Sequence, residues 1–405
     1  MDSENLKQET TTIVGDHGRI AEMGNSSDAL VSLIREKMES VSPSLCIYVA
    51  PEVLRKGNEN SFEPVLVSIG PFHHGKQGLE AMEKHKWRYL RALLNRRPNL
   101  ESVLDDCVKA MKQLEQRARK CYEELSNMSS NEFVEMMIVD GCFTIELFLT
   151  YCKKELRQRR EPIFANSWML FSVRSDMILL ENQLPFFVLQ RLFELVPIPK
   201  QCDQSLLELA FRFFRILIPG DDDDILHEKF SREGNHLLDL VRNTYLPSYP
   251  KVLPKQNNEM YRNVNPAEKL MHSGIKFKRA TDGISLLNIK FANGVLKIPP
   301  LRIHNYTNNL LRNLIALELC SVNSTMYVTS YVFFMDGLIQ SPNDVQVLRQ
   351  HKIITNRLGN DEMVPEFFKK LVCDQNIVGK DNFYAGLCEQ VNAYNRRTNK
   401  WFNLF

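Results

Sequence analysis

The sequence predicts a mainly α-helical protein of the α+β class: a multi-helix, bundle-like globule with a small β-hairpin or sheet component. Three observations carry this prediction. Apolar residues recur at steps of three and four over long stretches, one stretch is apolar on nearly every helical face, and one strong hairpin signal lies in the second half.

The clearest helical pattern runs from Leu104 to Leu125, where apolar residues are separated by Lys, Arg, Gln and Glu. It predicts one long amphipathic helix. The apolar stripe lasts barely three heptads and includes Cys and Ala, which favours packing inside the protein over a coiled coil. A homomeric assembly through this stripe is the alternative, so the oligomeric state is left open.

Two further helical regions follow in the first half. Residues 131–152 are apolar around almost the whole circumference, which predicts a central helix surrounded by others. Residues 167–184 and 185–197 predict two helical pieces joined at Pro185, because proline fits the first turn of a helix and disrupts an interior.

The composition changes at the acid run Asp221–Asp224, which lacks the alternating ligand positions of a calcium loop and therefore predicts a solvated turn or helix start. A loop rich in Pro and Asn follows, and then alternating apolar residues flank "ANG", a hairpin signal. The predicted organisation is a flexible tail at 1–26 and one domain at 27–405, with a helical lobe at 27–219, the acidic turn and loop at 220–262, and a hairpin plus helical lobe at 263–405.

Composition limits the function classes. A formal charge of +2 over 405 residues indicates no general attraction to nucleic acid. Nine dispersed cysteines without zinc spacing favour reduced thiols in a cytosolic setting, and we expect no metal and no cofactor. The polar N-terminus does not resemble a secretory signal, and no stretch approaches the ~18 apolar residues of a membrane span. Nucleotide-binding loops and the nucleophile elbow of α/β-hydrolases are absent from the sequence.

His73 and His74 in "GPFHHG" are candidates for a general base or a metal ligand. Adjacent residues on an extended segment point to opposite sides, so the two imidazoles do not easily share one site. Hydrogen-bonded histidines at a turn are the favoured interpretation.

Four carboxylates lie within apolar helical stretches: Asp140, Glu146, Asp176 and Glu181. Paired carboxylates can divide acid and base roles, as in glycosidases. A buried acid must also be hydrogen-bonded or paired, and Arg174 and the helix ends offer such partners without catalysis. Structural pairing is favoured; a hydrolase would require two of these acids to face one open cleft with raised pKa values.

The stretch "LLENQLPFF", Leu179 to Phe187, places three polar residues between apolar blocks. Asn182 is positioned to cap the helix that begins near Pro185, at a cost of about 1 kcal/mol if it is replaced by Ala. Glu181 and Gln183 are expected to satisfy helix-end groups or to meet Arg174.

Eight phrases occur in order along the chain: "VSIGPFHHG", "MEKHKWRYL", "VDGCF", "DMILLENQLPFFVL", "SGIKFKRA", "IKFANGVLKIPPLRI", "LRNLIALELC" and "SYVFFMDGLIQSPNDVQVL". Together, from about Ile47 to Trp401, they resemble the plant family called domain of unknown function 247. The polar residues within these phrases and beside them form a structural signature: Asp140, Gly141, Arg174, Asp176, Glu181, Asn182, Gln183 and Pro185.

The resemblance implies a predominantly helical plant protein without established enzymatic chemistry. Family members usually carry one membrane-spanning helix shortly after the position at which this sequence stops. That implies a domain at the cytoplasmic face of a membrane, with the plasma membrane as the expected site, or a soluble cytosolic protein if the chain is complete as given. Some grass members resemble pollen-side determinants of self-incompatibility, which implies a small secreted cysteine-rich protein as one kind of partner.

Two hypotheses about function follow. The first is a non-enzymatic recognition or signalling protein, a helical scaffold for protein–protein interaction that is normally held at a membrane. The second is a hydrolase in which His73 or His74 converges with Asp140 or Glu181 in a cleft. Burial of these residues in satisfied pairs would count against the second.

Overall fold

Helices make up most of the computed structural model, as the sequence predicted. It describes residues 30–31, 45–96, 98–124, 127–158, 161–200, 202–249, 251, 263–281, 285–321, 325–372 and 382–402. The predicted tail at 1–26 and the loop residues 252–262 lie outside the described residues.

The α-helices of the domain are α1 Glu52–Arg55, α2 Glu80–Leu94, α3 Leu100–Arg119, α4 Ser130–Cys152, α5 Pro162–Ala165, α6 Ser167–Asp176, α7 Phe186–Leu195, α8 Leu206–Phe214, α9 Asp223–Phe230, α10 Leu237–Tyr245, α11 Ala267–His272, α12 Asn305–Cys320, α13 Tyr327–Leu338, α14 Pro342–Gln350, α15 Met363–Leu371 and α16 Ala385–Phe402. Short 3₁₀ turns lie at Glu59–Ser61, Lys154–Leu156 and Arg215–Leu217. The strands are β1 Lys276–Arg279, β2 Lys290–Ala292, β3 Val295–Ile298, β4 Leu301–Ile303 and β5 Ile354–Asn356.

The predicted central helix is α4. A capping box opens it: the Ser129 side chain accepts from the Glu132 amide, and the Glu132 carboxylate accepts from the Ser129 amide. Almost all of its residues from Phe133 to Thr150 are buried, and it packs against α2, α3, α7 and α8. Burial on every face explains why this stretch has no amphipathic pattern.

Two predicted helices end earlier than expected. The α3 helix ends at Arg119, and Tyr122 forms an isolated parallel bridge with Ile47; Leu125 lies outside the described residues. The apolar face of α3 packs against α4 and α7 in the same chain. The α6 helix ends at Asp176, so residues 177–185 form an irregular connection where a continuous helix was predicted.

The hairpin prediction is confirmed. Strands β2 and β3 are antiparallel with Ala292 opposite Val295, and the two turn residues, Asn293 and Gly294, have φ of 51° and 74°. Positive φ at both central positions is the pattern that Asn-Gly favours in a type I′ turn. Strand β1 adds to β3 in parallel, and β4 and β5 form a second, two-stranded parallel pair.

The residues Cys46–Phe405 form one compact unit. Helices α12, α13 and α15 pack together beyond the hairpin, and α14 packs against α11 and α15. The division into two lobes stays a prediction. Among the helices that the structure describes, none combines the length and the apolar character that crossing a bilayer requires.

Candidate functional site

The polar signature residues Asp140, Asp176, Glu181, Asn182 and Gln183 form a buried group that we call the polar joint. It holds the segment 50–70, which precedes α2. Asp176, the last residue of α6, accepts hydrogen bonds from three consecutive backbone amides, those of Val65, Leu66 and Val67, at 3.0, 2.7 and 2.9 Å. Burial raises the pKa of Asp176 to about 6, and the three amide bonds oppose that increase.

Asn182 also holds the segment 50–70. Its Oδ1 accepts from the Ile69 amide at 2.6 Å, and its Nδ2 donates to the carbonyls of Val67 and Asp176, each at 2.9 Å. The predicted cap was wrong: the N-cap of α7 is Pro185, and no side chain caps that helix. Asn182 instead pairs with an extended segment as a neighbouring strand would.

Gln183 supplies the internal support of the irregular connection. Its Nε2 donates to the carbonyls of Met177 and Leu179, and its Oε1 accepts from the Leu238 amide at the start of α10. The backbone carbonyl of Gln183 lies so close to Gly70 that a Cβ there would be 2.3 Å away, and Gly70 has φ of +80°. Only glycine fits that position.

Asp140, from the middle of α4, binds the next amide along the segment. Its Oδ2 accepts from Gly70 N at 2.9 Å, and its Oδ1 is 2.7 Å from Nζ of Lys86, a side chain with no solvent exposure. Lys86 also contacts Glu83 at 2.7 Å and donates to Ser68 Oγ at 3.2 Å. Burial raises the pKa of Asp140, and the Lys86 ammonium opposes that increase.

Among the four candidate catalytic residues of the sequence analysis, the structure places Glu181 and His73 beside each other. Oε1 of Glu181 accepts from the Ala50 amide at 2.7 Å and from Arg55, while Oε2 lies 3.6 Å from His73 Nε2. That distance is longer than a hydrogen bond. Burial raises the pKa of Glu181 and lowers the pKa of His73 to about 4. His74 is exposed, so the two histidines do face different surroundings.

The other signature residues have packing roles. Arg174 does not meet Glu181 or Asp176: its Nε donates to the Phe213 carbonyl at 2.7 Å, and its guanidinium lies over the Phe213 ring. A Cβ on Gly141 would come within 2.3 Å of Leu192, so glycine allows α4 and α7 to approach closely. Glu146 forms a two-bond ion pair with Arg96, and burial raises the pKa of Glu146 to about 7.

The polar joint can therefore fix a backbone path. Its three carboxylates and the side-chain amide of Asn182 bind main-chain groups of residues 50–70, and Asp140 and Glu181 have different partners on that path. Within the described ranges, no three His, Cys, Asp or Glu side chains are grouped in a way that could hold a metal ion.

A large open cleft of about 910 Å³ lies elsewhere, and none of the predicted catalytic residues lines it. Its five cationic side chains come from five places: the turn after α8, strands β1 and β4, the turn after α14, and the residue after β5. They are, in chain order, Arg215, Arg279, Arg302, Lys352 and Arg357. The sequence prediction missed these residues. The available signal was the alternation in "LRI" and "ITNR", which puts basic residues on one strand face.

Comparison with known proteins gives a consistent result. The model of a family described as plant protein of unknown function, DUF247, matches residues 47–405. A UPF0481 protein of Arabidopsis thaliana is 34% identical over 383 residues, covering 89% of this chain and 78% of that protein. A second, putative UPF0481 protein of the same plant is 22% identical over 456 residues, covering 90% of this chain and 84% of the relative. No solved structure matches.

Proposed function

This chain belongs to the plant family called domain of unknown function 247, and from that membership we propose that it is a non-enzymatic recognition protein. It is a helical scaffold that binds a protein partner and signals from the cytoplasmic face of a membrane. The observation that carries this proposal is the state of the acids a hydrolase would use: they bind the chain's own backbone.

The contacts of the polar joint argue against general acid–base chemistry there. A general base must reach the proton that it abstracts from a substrate. Asp140 and Asp176 are almost completely buried and accept from backbone amides, and Glu181 accepts from Ala50 and Arg55. Their raised pKa values follow from burial, and none of the three lines the large cleft.

Two exposed tryptophans support a protein partner. Trp87 on α2 and Trp168 at the start of α6 expose 49% and 57% of their surface. Tryptophan is enriched among the residues that contribute most to binding energy at protein interfaces. These two side chains are therefore our candidates for partner contact.

The placement at the cytoplasmic face follows from the family's C-terminal anchor, and the cysteines support it. The cysteines within the described ranges are free thiols, which suits a reducing compartment. A small secreted cysteine-rich partner, as in the self-incompatibility branch of the family, would require the opposite topology. Protease protection of the protein in plant cells, with a tag placed at the N-terminal side of the domain, distinguishes the two.

Affinity capture from plant membrane extract, followed by cross-linking, tests the recognition proposal. We expect a retained protein that cross-links near Trp87 or Trp168 and is lost with Trp87→Ala or Trp168→Ala. The neighbouring exposed residues Lys84 and Ser167 give matched controls, and their alanine variants should retain it.

The opposite result would be catalytic. Hydrolysis of model esters, phosphoesters or glycosides by purified protein, abolished by His73→Gln at an unchanged melting temperature, would contradict the proposal, as would capture of no specific protein.

A further inference from the structure

The cleft differs from the polar joint because three of its five cations have no ion-pair partner among the described residues. On one wall, Arg302 lies on β4 between buried Leu301 and Ile303, so its side chain is on the exposed face. The parallel register places Arg302 opposite Thr355 of β5, and Arg357 N donates to the Ile303 carbonyl two residues further on. Residues two apart on a strand share a face. Arg302, Thr355 and Arg357 therefore face the cleft together.

Lys352 joins the same wall from an unusual backbone position. Helix α14 ends in a Schellman motif: the Ile353 amide donates to the Leu348 carbonyl, and the Lys352 amide donates to the Arg349 carbonyl, both at 2.9 Å. The residue after the cap in this motif is usually glycine because it adopts a left-handed conformation. Here that residue is Lys352, with φ of 57°. Lys352 therefore places a charged side chain at a backbone position that favours glycine.

The other two cations of the cleft are paired with carboxylates. Arg215 pairs with Asp223 at 2.6 Å, and Arg279 lies 3.3 Å from Asp221. By contrast, no described residue forms an ion pair or side-chain hydrogen bond with Arg302, Lys352 or Arg357. Three uncompensated cations on one wall of a concave surface raise the local concentration of anions.

Aromatic rings line the cleft beside these cations. His304 stacks on Tyr306 with centroids 5.0 Å apart and planes at 13°, and Phe171 packs against Tyr306 at 5.2 Å. Burial lowers the pKa of His304, and the charges of Arg357 and Arg302 lower it further. The cations and the aromatic rings line the same cleft, so positive charge and an aromatic surface are available to one ligand.

We propose that this cleft binds a small organic polyphosphate, with its phosphate groups on Arg302, Lys352 and Arg357 and its organic part against Tyr306 and His304. Guanidinium groups bind phosphate through paired charge-assisted hydrogen bonds. A cleft of about 910 Å³ is within the usual size range of small-ligand sites.

The acid run selects for a small ligand. Asp221 lines the cleft, and all four aspartates from Asp221 to Asp224 are exposed. Asp222 and Asp224 form no ion pair with a described residue, so they repel an extended polyanion such as nucleic acid. A compact anion can still reach the three unpaired cations. The net charge of +2 likewise provides no broad basic surface.

Isothermal titration calorimetry of the full chain with myo-inositol hexakisphosphate tests this site, with uncharged myo-inositol as the ligand control. We expect saturable binding of the phosphate ester alone, weakening as salt is raised. The Arg302→Ala/Arg357→Ala variant should bind about 100-fold more weakly, tenfold for each guanidinium. No binding by the wild-type protein would overturn the proposal.

A matched variant separates the cleft from general charge. Lys278 and Lys297 are exposed on β1 and β3, directly opposite each other, and neither lines the cleft. Lys278→Ala/Lys297→Ala removes the same two charges and should change affinity less than threefold. An equal loss in both double variants would overturn the proposal.

Lys352→Gly guards against misfolding as the cause of lost binding. It should reduce affinity about tenfold while the melting temperature stays the same or rises, because glycine suits the left-handed position. Retained affinity would remove Lys352 from the site and contradict the proposed three-cation wall.

A second experiment distinguishes a lipid headgroup from a free polyphosphate as the ligand. Vesicles of phosphatidylcholine with 5% of a phosphoinositide bisphosphate are sedimented with the protein, in competition with the soluble probe. Vesicle binding that the probe displaces and the cleft variant loses supports a lipid headgroup as ligand. Binding of the soluble probe without vesicle binding supports a free polyphosphate.

Discussion

The polar joint and the basic cleft place ionisable side chains in opposite situations. In the joint, Asp176 receives three backbone amides and Asp140 receives an amide and an ammonium group. In the cleft, Arg302 on β4 and Arg357 just after β5 are exposed and have no carboxylate partner among the described residues. The carboxylates of the joint have hydrogen-bond partners within the chain, whereas the guanidinium groups of the cleft are available to a ligand.

The difference teaches where to look for function in a family without known chemistry. Buried carboxylates in a conspicuous motif suggest catalysis, but here the three carboxylates of the polar joint hold the path of residues 50–70. Burying such groups stabilises the fold only when their hydrogen bonds are complete. The exposed cations form no conspicuous motif, and they keep their binding capacity. The comparison can be tested by measuring stability in the first region and binding in the second.

The largest effect is expected from Lys86→Met. Removing one member of a buried ion pair leaves the other charge uncompensated, and here Asp140 would lose its ammonium partner. We expect the free energy of unfolding at pH 7 to fall by about 3–5 kcal/mol, measured by urea denaturation.

A double variant provides the control for this loss. In Lys86→Met/Asp140→Asn the amide oxygen of the new asparagine can still accept from Gly70, and no buried charge remains. Most of the lost stability should return. If the double variant is as unstable as the single one, the ion pair is not the cause.

Asn182→Ala is expected to have the next largest effect. It would leave the Ile69 amide and the carbonyls of Val67 and Asp176 without their partner in a buried site. We expect a loss of about 3 kcal/mol by urea denaturation, since each unsatisfied buried group costs about 1–3 kcal/mol and the site can partly relax.

A true helix cap serves as the comparison. The exposed side chain of Asn166 accepts from the Trp168 amide at the start of α6, so Asn166→Ala should cost only about 1 kcal/mol. Equal losses in the two variants would restore the capping interpretation of Asn182.

The contrast between those two asparagines shows which parts of the structure were predictable. A central helix and an Asn-Gly hairpin depend on residues close in sequence, and both were predicted. The end of α6 and the partners of Asn182 depend on contact with Val67 and Ile69, over a hundred residues away. No local periodicity reveals that contact, so Asn182 was assigned to the nearest helix end.

The cleft was unpredictable for the same reason. Arg302 and Arg357 become neighbours only through the parallel pairing of β4 with β5, strands that are separated by three helices. Lys352 gave a partial signal, because it follows a helix that has no glycine at its end. The sequence analysis therefore identified the conspicuous polar residues. It assigned Asn182 the wrong partner, although Gln183 does bind the carbonyl that follows α6, as expected. It did not single out the less conspicuous cations.

His236 should make the stability of the fold depend on pH. Its buried ring caps α10: Nδ1 accepts from the Asp239 amide at 3.3 Å, and Nε2 therefore donates to the Cys46 carbonyl at 3.0 Å. The bond from the Asp239 amide requires a neutral ring, because a protonated Nδ1 cannot accept. Burial lowers the pKa of His236 below its ordinary value of 6.5. Asp239 opposes that decrease, and Arg242 adds to it.

Acidification should therefore destabilise the fold through His236. Below about pH 6.5 the unfolded chain takes up a proton that the folded chain does not, so the free energy of unfolding falls as the pH falls. The slope contributed by one such group is at most about 1.4 kcal/mol per pH unit. Urea denaturation between pH 5 and 8 should show a shallower slope for His236→Asn, which keeps the cap; identical slopes would contradict this assignment.

The smallest stability effect, and the one that separates the two regions most sharply, is expected at Lys352. A lysine in the left-handed conformation is strained by about 1 kcal/mol, and Lys352→Gly relieves that strain at the cost of a more flexible unfolded chain. We expect a net gain of about 0.5 kcal/mol by urea denaturation, together with weaker polyphosphate binding. Lys352→Ala removes the same charge but keeps the strained backbone, so it should weaken binding equally without the gain. Substitutions in the polar joint should instead destabilise the fold, because each side chain there satisfies buried groups. If Lys352→Gly lowered the free energy of unfolding by 1 kcal/mol or more, Lys352 would belong with the structural residues. The contrast between the two regions would then fail.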